Sequence, residues 1–508
     1  MNAAHIGQMT VGQWIHHYAA LTPDKIALHF QEQAISYAEL ERQIMQMSTL
    51  FMDEHELQRG DRIVWYGMNH PLMVVLLFAA ARCGLILVPL NWRLAVPELV
   101  TIVLDCEPKV LFYDHHFADN LEVFENVLPD CVSVSSEQVG RLTDGLFLQE
   151  ADCHSADDDP LAIIYTSGTT GQPKGSVLSQ ASFACNARMS QHMHAMSSDD
   201  HVLSFLPMFH VGGFNIQLLP ALSLGATVTL LEKFDATQVM QRLDRKRITL
   251  AVVVPTILQA LLSHSDWEQV DLSSLRALAI GSTDVPVPLI KQVHELGIPV
   301  LQVYGCTETS PLAIYQQPDN AFSSVGSIGR CGSECEVRLV GSDGKEVRTG
   351  ENGEIQVRGQ NVLSHYWQNP QATEAAFIDG WFRTGDVARC DEQGFYWFAD
   401  RLKHVIISGG ENIYAAELER VLRDFPGLAE LAVVGQPDDK WGEVAVVVAV
   451  RAEGVTTTDD ELQAAILGSF DGKIARFKHP RRVVFVDALP RTALGKVQVD
   501  AVRSLLQQ

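Results

Sequence analysis

Positive charge is what this sequence has least of. Its 508 residues include 38 Lys and Arg against 62 Asp and Glu, which gives a formal net charge of −24. A field of that sign repels nucleic acid phosphates, so the composition excludes a general nucleic-acid binder. An anionic substrate would have to be met by local positive side chains or by backbone N–H groups.

Cysteine pairs and a leader sequence are also lacking. The 9 cysteines are scattered without a C-x-x-C pair, and the two closest are Cys331 and Cys335. This spacing excludes a disulfide framework and a structural zinc site, and it predicts reduced thiols in a cytoplasmic protein. The first residues contain no basic stretch followed by an apolar one, so we expect no signal peptide.

A membrane span is not expected either. The apolar run at residues 71–90 approaches the length of one, but Arg82 and Gly84 interrupt it, and a proline lies at or near each end. The run therefore predicts a buried helix followed by a buried strand at 85–88.

The apolar residues that are present predict an α/β protein of two or more domains. Hydrophobic residues make up 47% of the chain, which is ample for buried cores. Between about residues 60 and 340, short apolar runs alternate with helix-like stretches, which predicts parallel sheets covered by helices. The clearest expected strands are 62–66, 110–113, 162–165, 227–231, 250–254 and 277–280.

The pattern changes twice towards the C-terminus. Short strands punctuated by glycine, at 353–358 and 394–398, predict a smaller β-rich layer. After residue 400 a mixed order follows, with expected helices at 415–423 and 460–467 and strands at 431–434, 444–450 and 482–486. This predicts a small α+β C-terminal domain of typical size for an independent unit.

A candidate phosphate-binding loop, YTSGTTGQPKG, occupies residues 165–175 directly after an apolar strand. Its glycines let the backbone wrap an oxyanion, its hydroxyls donate to it, and its lysine adds a charge. The lysine lies between Pro173 and Gly175, which does not fit a Walker-type P-loop. The candidate binding residues are Thr166, Ser167, Gly168, Thr169, Thr170, Gly171 and Lys174.

This loop resembles that of the adenylate-forming superfamily, and further motifs of that superfamily follow in order. They are YGCTETS at 304–310, TGD at 384–386, DRLK at 400–403 continued by SGGENI at 408–413, and PRTALGK at 490–496. Five matches in order across most of the chain form a specific signature. The sequence is most similar to the acyl-CoA synthetase branch, the carboxylic acid–CoA ligases.

The resemblance implies an activity and an organisation. An acid and ATP would give an acyl-adenylate and pyrophosphate, and coenzyme A would then take the acyl group and release AMP, with Mg²⁺ as a cofactor. Residues 1–399 would form a large domain, 400–403 a hinge that pivots at Lys403, and 404–508 a small mobile domain. A homodimer is common in the family.

The resemblance also implies the nucleotide contacts. Asp386 would accept hydrogen bonds from both ribose hydroxyls, because a carboxylate offers two oxygens to a diol. Arg401 would be a second ribose or phosphate contact. The sequence SerThrAsp at 282–284 replaces the Gly-Ala-Pro that is common in the family. The remaining expected contacts are Gly281, Ser282, Thr283, Tyr304, Gly305 and Thr307.

Two charged residues have expected roles in the reaction itself. A carboxylate beside a triphosphate would be repelled unless a divalent cation joins them, so Glu308 is expected to hold Mg²⁺. Lys496 is expected to bridge the acid carboxylate and the α-phosphate, because a flexible ammonium lowers the barrier between two approaching anions. With Lys174 and His210, these residues form the candidate catalytic set.

The expected acid pocket is apolar. By resemblance it includes Phe209, His210, Gly212, Phe214, Pro311 and Leu312. Peptide synthetase domains usually carry Phe-Asp where this chain has Phe-His at 209–210, and the missing counter-charge argues against an amino acid. A medium- or long-chain fatty acid and an aryl acid of the coumarate, ferulate or benzoate kind both fit, and the motifs slightly favour the fatty acid.

The coenzyme A contacts are expected in the small domain. Gly409 and Gly410 would line the thiol channel, because glycine permits close backbone approach. A basic cluster in an otherwise acidic chain would hold the coenzyme A phosphates. It comprises Lys473, Arg476, Lys478, Arg481 and Arg482.

Three other functions share some or all of these motifs. A luciferase-type oxygenase shares every one of them. An adenylation enzyme that loads a carrier protein is disfavoured by Phe209-His210 and by the lack of a carrier domain. A non-catalytic ATP-binding sensor is disfavoured because it would need no second lysine beside Lys174.

Overall fold

The computed structural model describes residues 9–144, 146, 156–167, 173–245, 247–282, 285–341, 343–401, 406–413, 415–422, 425–490, 497 and 499–506. The chain divides into two compact units. The first comprises Met1–Asn91, Val103–Ile164 and Gly175–Asp400, and the second comprises Trp92–Ile102, Tyr165–Lys174 and Arg401–Gln508.

The strands and helices are numbered in chain order. The strands are β1 (Ile26–Phe30), β2 (Gln33–Ser36), β3 (Arg62–Tyr66), β4 (Ile86–Pro89), β5 (Val110–Tyr113), β6 (Val132–Ser135), β7 (Pro160–Ser167), β8 (Pro173–Ser179), β9 (His201–Ser204), β10 (Thr227–Leu230), β11 (Leu250–Val253), β12 (Ala277–Gly281), β13 (Val300–Tyr304), β14 (Ile314–Tyr315), β15 (Arg330–Cys331), β16 (Cys335–Val340), β17 (Asn352–Gly359), β18 (His365–Tyr366), β19 (Phe377–Ile378), β20 (Trp381–Cys390), β21 (Tyr396–Arg401), β22 (Ile406–Ser408), β23 (Glu411–Ile413), β24 (Leu428–Asp438), β25 (Gly442–Arg451) and β26 (Arg482–Phe485). The helices are α1 (Trp14–Leu21), α2 (Tyr37–Thr49), α3 (Pro71–Cys83), α4 (Val96–Cys106), α5 (Leu121–Val127), α6 (Ser136–Thr143), α7 (Gln180–His194), α8 (Val211–Asn215), α9 (Leu218–Leu222), α10 (Ala236–Arg245), α11 (Pro255–Leu262), α12 (Val287–His294), α13 (Pro370–Ala376), α14 (Ala415–Leu422), α15 (Asp459–Gly468) and α16 (Val499–Leu505).

Two sheets with a mainly parallel centre form the body of the first unit. One has the strand order β15-β14-β13-β12-β11-β9-β10-β1-β2, and every pair from β13 to β1 is parallel. The other has the order β18-β8-β7-β4-β3-β5-β6, with parallel pairing from β7 to β6. All six strands expected between residues 60 and 340 are present, which confirms the α/β interpretation.

The interrupted apolar run folds as the sequence predicts. Helix α3 begins at Pro71 after His70, whose Nδ1 accepts from the Leu72 amide at 3.0 Å. It ends at Cys83 and is capped by Gly84, whose φ of 68° is the left-handed conformation that glycine adopts without strain, and β4 follows. Nearly every side chain of α3 is buried in the main core. Among the described helices, none has both the length and the apolarity to cross a bilayer.

The β-rich layer and the small α+β region are confirmed as well. In the first unit, β16, β17, β20 and β19 form an antiparallel sheet, and β21 pairs with β20. In the second unit, β23, β22, β25 and β24 form a sheet to which β26 adds in parallel with β25. Helices α14 and α15 contribute Leu418, Leu422, Leu462 and Ile466 to its core.

Candidate functional site

The first unit brings three groups of predicted site residues to one edge of its largest sheet. Strands β9, β12 and β13 run parallel to one another through β11. Phe209 and His210 follow the end of β9, Gly281 ends β12, and Tyr304 ends β13. The carboxyl ends of parallel strands meet at the same edge, which is where open α/β sheets bind their ligands.

Two glycines at this edge are required by close backbone packing. A Cβ on Gly281 would lie 2.5 Å from the carbonyl oxygen of Val303, its partner on β13. A Cβ on Gly305 would lie 1.6 Å from the carbonyl oxygen of Pro311, because the chain turns back on itself after β13. Residues 305–311, which we call the Glu308 loop, are therefore tightly folded.

Tyr304 and Asp386, both predicted nucleotide contacts, bond to each other. The Tyr304 hydroxyl donates to Oδ2 of Asp386 at 2.9 Å, and both side chains are buried. Burial raises the pKa of Tyr304 well above its ordinary value, and the neighbouring Asp386 carboxylate raises it further. The phenol therefore stays protonated and acts as a donor, which fixes one oxygen of the carboxylate.

A bulge in β20 presents Asp386. The pairing of β17 with β20 slips, so that Thr384, Gly385 and Asp386 lie opposite Ile355 alone. Gly385 has a φ of 73°, and the Thr384 hydroxyl donates to the Ile355 carbonyl while it accepts from the Asp386 amide. Bulges of this kind redirect a side chain out of the regular alternation. The Thr-Gly-Asp motif thus orients one carboxylate through its local backbone conformation.

Glu308 lies half-buried in a short 3₁₀ turn, Thr307–Thr309. Its Oε1 accepts from the hydroxyl of Tyr366 at 2.9 Å, and its backbone carbonyl accepts from the Leu363 amide at 2.8 Å. Tyr366 was not among the predicted residues. It lies on the two-residue strand β18, in a stretch that carries no motif, and no sequence signal marks it.

The predicted acid side of the site is built on α8. His210 precedes this helix with an exposed side chain, and its ring centroid lies 4.5 Å from that of buried Phe209. A Cβ on Gly213 would lie 2.0 Å from the Pro207 carbonyl oxygen, whereas one on Gly212 would meet only the Ile216 side chain, at 3.5 Å. Gly213 is therefore needed for packing, and Gly212 is not.

The other predicted pocket residues are in the core. Phe214 is buried and its ring stacks on that of Phe183, with centroids 6.0 Å apart. Pro311 and Leu312 are buried too. Their place in the acid pocket stays a prediction.

The second unit contains the candidate phosphate loop and the two glycines of the predicted thiol channel. The loop connects β7 with β8, neighbours in one sheet, and the Thr166 hydroxyl donates to the Lys174 carbonyl at 3.5 Å. Gly409 and Gly410 have φ values of 59° and 84°. A Cβ on Gly409 would lie 2.8 Å from the Trp441 ring, so the backbone approaches this ring closely.

The predicted phosphate role of Lys478 is wrong for the structure as described. Lys473, Arg476, Arg481 and Arg482 are exposed, as a docking cluster requires, but Lys478 is only 3% exposed. Its Nζ donates to Glu417 at 2.7 Å and to Glu98 at 2.9 Å, both within the second unit. Two carboxylates neutralise the ammonium, so it is not available to an anion.

Several predicted residues lie outside the described part of the chain. They are Gly168, Thr169, Thr170, Gly171, Thr283, Lys403 and Lys496, together with the side chains of Ser167 and Arg401.

Comparison with known proteins identifies the family. The AMP-binding enzyme family matches residues 15–367, and the C-terminal domain of AMP-binding enzymes matches residues 417–496. An indoleacetate–CoA ligase from Aromatoleum aromaticum is 44% identical over 98% of both chains. A feruloyl-CoA synthase from an Amycolatopsis species is 36% identical over 97% of this chain and 98% of that one.

A solved structure supports the same conclusion. A double mutant of the o-succinylbenzoate CoA synthetase from Bacillus subtilis, bound to a product analogue, superposes with a TM-score of 0.87 at 30% identity. The match covers 97% of this chain and 98% of that one. The resemblance inferred from five short motifs is confirmed, and the chain belongs to the AMP-binding enzyme family.

Proposed function

We propose that this chain is an ATP-dependent CoA ligase for an aryl acid that carries a single carboxylate. In the first step the acid and ATP give the acyl-adenylate and pyrophosphate. In the second step the adenylate and coenzyme A give the acyl-CoA and AMP. The observation that carries the proposal is the full-length similarity to the indoleacetate–CoA ligase, combined with a site edge that presents Glu308 and Asp386.

The choice of an aryl acid reverses the slight preference that the motifs alone give to a fatty acid. The relatives described above are named for indoleacetate, ferulate and o-succinylbenzoate, which are all aromatic acids. The stretches 205–215 and 304–312 of this chain contain no Lys or Arg. A second carboxylate in an apolar pocket would need such a partner, so a single-carboxylate acid of the indoleacetate or ferulate kind fits best.

The residues of the Glu308 loop fit a divalent cation. Glu308 is a half-buried carboxylate whose oriented Oε1 is held by Tyr366, and carboxylate oxygens are the ligands that Mg²⁺ prefers. When bound, Mg²⁺ would neutralise charge on the triphosphate. Asp386 would hold the ribose hydroxyls, and the Gly/Thr-rich loop with Lys174 would take the phosphates.

Charge compensation by lysine would drive the first step. An oxygen of the acid attacks the α-phosphorus and pyrophosphate leaves, so two anions approach each other in the transition state. Lys496 would bridge them, and preorganised positive charge of this kind is a large term in phosphoryl-transfer catalysis. His210 would orient the acid carboxylate at the start of α8.

The second step needs a path for the coenzyme A thiol. We propose that the small domain, residues 404–508, rotates about the hinge at 400–403, with Lys403 as the pivot. Gly409 and Gly410 would then line the channel, and the four exposed basic residues of the C-terminal cluster would hold the nucleotide phosphates. A homodimer and a cytoplasmic location complete the proposal.

The test is pyrophosphate release with Mg-ATP and a panel of indoleacetic, ferulic, benzoic, 2-succinylbenzoic, decanoic and palmitic acids, with and without coenzyme A. We expect CoA-dependent turnover that is highest for a single-carboxylate aryl acid and absent in Lys496→Ala. A preference for a fatty acid would contradict the substrate class. Pyrophosphate release that ignores coenzyme A would indicate another acceptor, and ATP binding without release would indicate a sensor.

A matched pair of glycine variants tests whether Gly212 lines the acid pocket. Gly212→Ala meets no atom closer than 3.5 Å, so it should fold normally and test the pocket. One added methyl group in a pocket changes selectivity by about tenfold or more, and we expect the bulkiest acids to lose most. Gly140→Ala on α6, where a Cβ meets nothing within 4 Å, is the control that should raise stability by up to about 1 kcal/mol and leave selectivity unchanged.

A further inference from the structure

Three buried asparagines surround the Glu308 loop. Asn186 lies on α7, Asn215 ends α8, and Asn361 lies between β17 and β18. All three side chains are fully buried. Burying an amide is costly unless it is hydrogen-bonded, so the bonds of these side chains indicate what each one does.

Asn215 contacts the loop directly. Its Nδ2 donates to the carbonyl of Ser310 at 2.6 Å. Asn186 connects Asn215 with Leu312. Its Nδ2 donates to the Asn215 carbonyl, and its Oδ1 accepts from the Leu312 amide at 3.1 Å. The end of α8 and the end of the loop are thereby joined through neutral amide bonds.

Asn361 bonds to the same segment of the chain. Its Nδ2 donates to the Leu312 carbonyl at 2.7 Å and to the Thr309 carbonyl at 3.4 Å. The loop backbone has no room to shift here, because Gly305 already packs against the Pro311 carbonyl. A shift of Ser310 would therefore be passed to Glu308, two residues earlier.

We propose that Asn215 is a positioning residue for adenylate formation, which couples the acid-binding helix α8 to the carboxylate of Glu308. This inference rests on the proposed function, in which α8 lines the acid pocket and Glu308 holds Mg²⁺. Asn215 itself touches the loop backbone. When its amide holds Ser310, Glu308 is oriented for the cation, and α8 and the loop move as one body.

Ser190 offers a matched control. Its hydroxyl donates to the carbonyl of Ile216, the residue after Asn215, and its side chain is fully buried. Ser190→Ala removes a buried bond to the same helix end without touching the Glu308 loop. A loss of general stability should therefore be similar in Ser190→Ala and Asn215→Ala, whereas a loss of Glu308 orientation should appear in Asn215→Ala alone.

The experiment compares these variants in three assays: acid-dependent pyrophosphate release, its Mg²⁺ dependence, and acyl-CoA formation from supplied acyl-adenylate. For Asn215→Ala we expect kcat of release to fall by about tenfold and the half-saturating Mg²⁺ concentration to rise by a similar factor. The supplied adenylate should react with coenzyme A within about twofold of the wild-type rate, since that step uses no triphosphate. Ser190→Ala should match wild type in all three.

Equal losses in both half-reactions, or equal behaviour of Asn215→Ala and Ser190→Ala, would overturn the proposal. If Asn215→Ala does not fold, Asn215→Ser replaces it, because a shorter hydroxyl side chain also loses the bond to Ser310. If wild type activates no acid at all, the proposed function fails. Calorimetric ATP binding at varied Mg²⁺ concentration then still tests Asn215, since a wild-type Mg²⁺ dependence in Asn215→Ala would contradict its role.

Discussion

Two buried polar clusters, one in each unit, hold chain segments together by different chemistry. In the first unit, the neutral amides of Asn186, Asn215 and Asn361 hold the Glu308 loop and Leu312, the residue after it. In the second unit, the charged triad of Glu98, Glu417 and Lys478 joins residues that lie up to 380 positions apart. The loop that is expected to contact ATP is therefore fixed by bonds that do not titrate.

The charged triad does titrate. It contains one ammonium and two carboxylates, and burial raises the pKa of Glu417 to about 7 against the opposing effect of Lys478. Oε2 of Glu417 is buried and has no hydrogen-bond partner among the described residues, which also favours the protonated acid. The pKa of Lys478 is raised, because the attraction of Glu417 and Glu98 outweighs the lowering effect of burial. The lysine therefore stays charged while Glu417 changes state.

Removing the positive charge of the triad should have the largest effect on the free energy of unfolding. Lys478→Ala leaves buried Glu417 and half-buried Glu98 without their ammonium partner, and breaking a buried ion pair in this way costs about 3–5 kcal/mol. Urea unfolding should show that loss of stability. Lys473→Ala, an exposed member of the same basic cluster, should stay within about 0.5 kcal/mol of wild type. Equal effects would show that burial of Lys478 has no consequence.

Removing an amide side chain from the neutral cluster should lower the free energy of unfolding by a smaller amount. Asn361→Ala leaves the carbonyls of Leu312 and Thr309 without this donor, and a lost partner of a buried group costs about 1–3 kcal/mol. Because no member of the cluster titrates, the loss should be the same in urea unfolding at pH 5 and at pH 8. A loss in the free energy of unfolding that changes with pH would contradict the assignment of this cluster as non-titrating.

Over one pH unit, the titration of the charged cluster should change the free energy of unfolding least. The folded state keeps a proton on Glu417 up to about pH 7, whereas the unfolded chain releases it near the ordinary value of 4.5. Stability should therefore fall as pH rises from 4.5 to 7, by at most about 1.4 kcal/mol per pH unit. Glu417→Gln, which does not titrate, should flatten that slope, and an unchanged slope would assign it to other groups.

Much of this architecture could be predicted from the sequence. Continuous apolar runs predict buried parallel strands, and those strands place Phe209, Gly281 and Tyr304 at one sheet edge. The Thr-Gly-Asp and Tyr-Gly-Cys-Thr-Glu motifs mark Asp386 and Glu308 because the position of each carboxylate depends on local backbone shape, which short sequences encode. The glycine of Thr-Gly-Asp, for example, takes a positive φ within the bulge.

The residues that sequence reasoning missed depend on contacts between distant segments. Tyr366 meets Glu308 across 58 residues, and Asn215 meets Ser310 across 95. A tyrosine or an asparagine in a stretch without a motif gives no sign of which carboxylate or carbonyl it will meet. Lys478 was misread for the same reason, since the carboxylates that bury it lie on other elements.

Oxygen-isotope transfer shows directly whether this chain activates its acid as an acyl-adenylate. Indoleacetic acid labelled with ¹⁸O in its carboxylate would be turned over with ATP and coenzyme A, and the products analysed by mass spectrometry. The carboxylate oxygen that attacks the α-phosphorus stays on the phosphate when the thiol displaces it from the acyl carbon. We predict AMP that carries one labelled oxygen, with unlabelled pyrophosphate. Unlabelled AMP, or ADP with labelled phosphate, would contradict an acyl-adenylate intermediate.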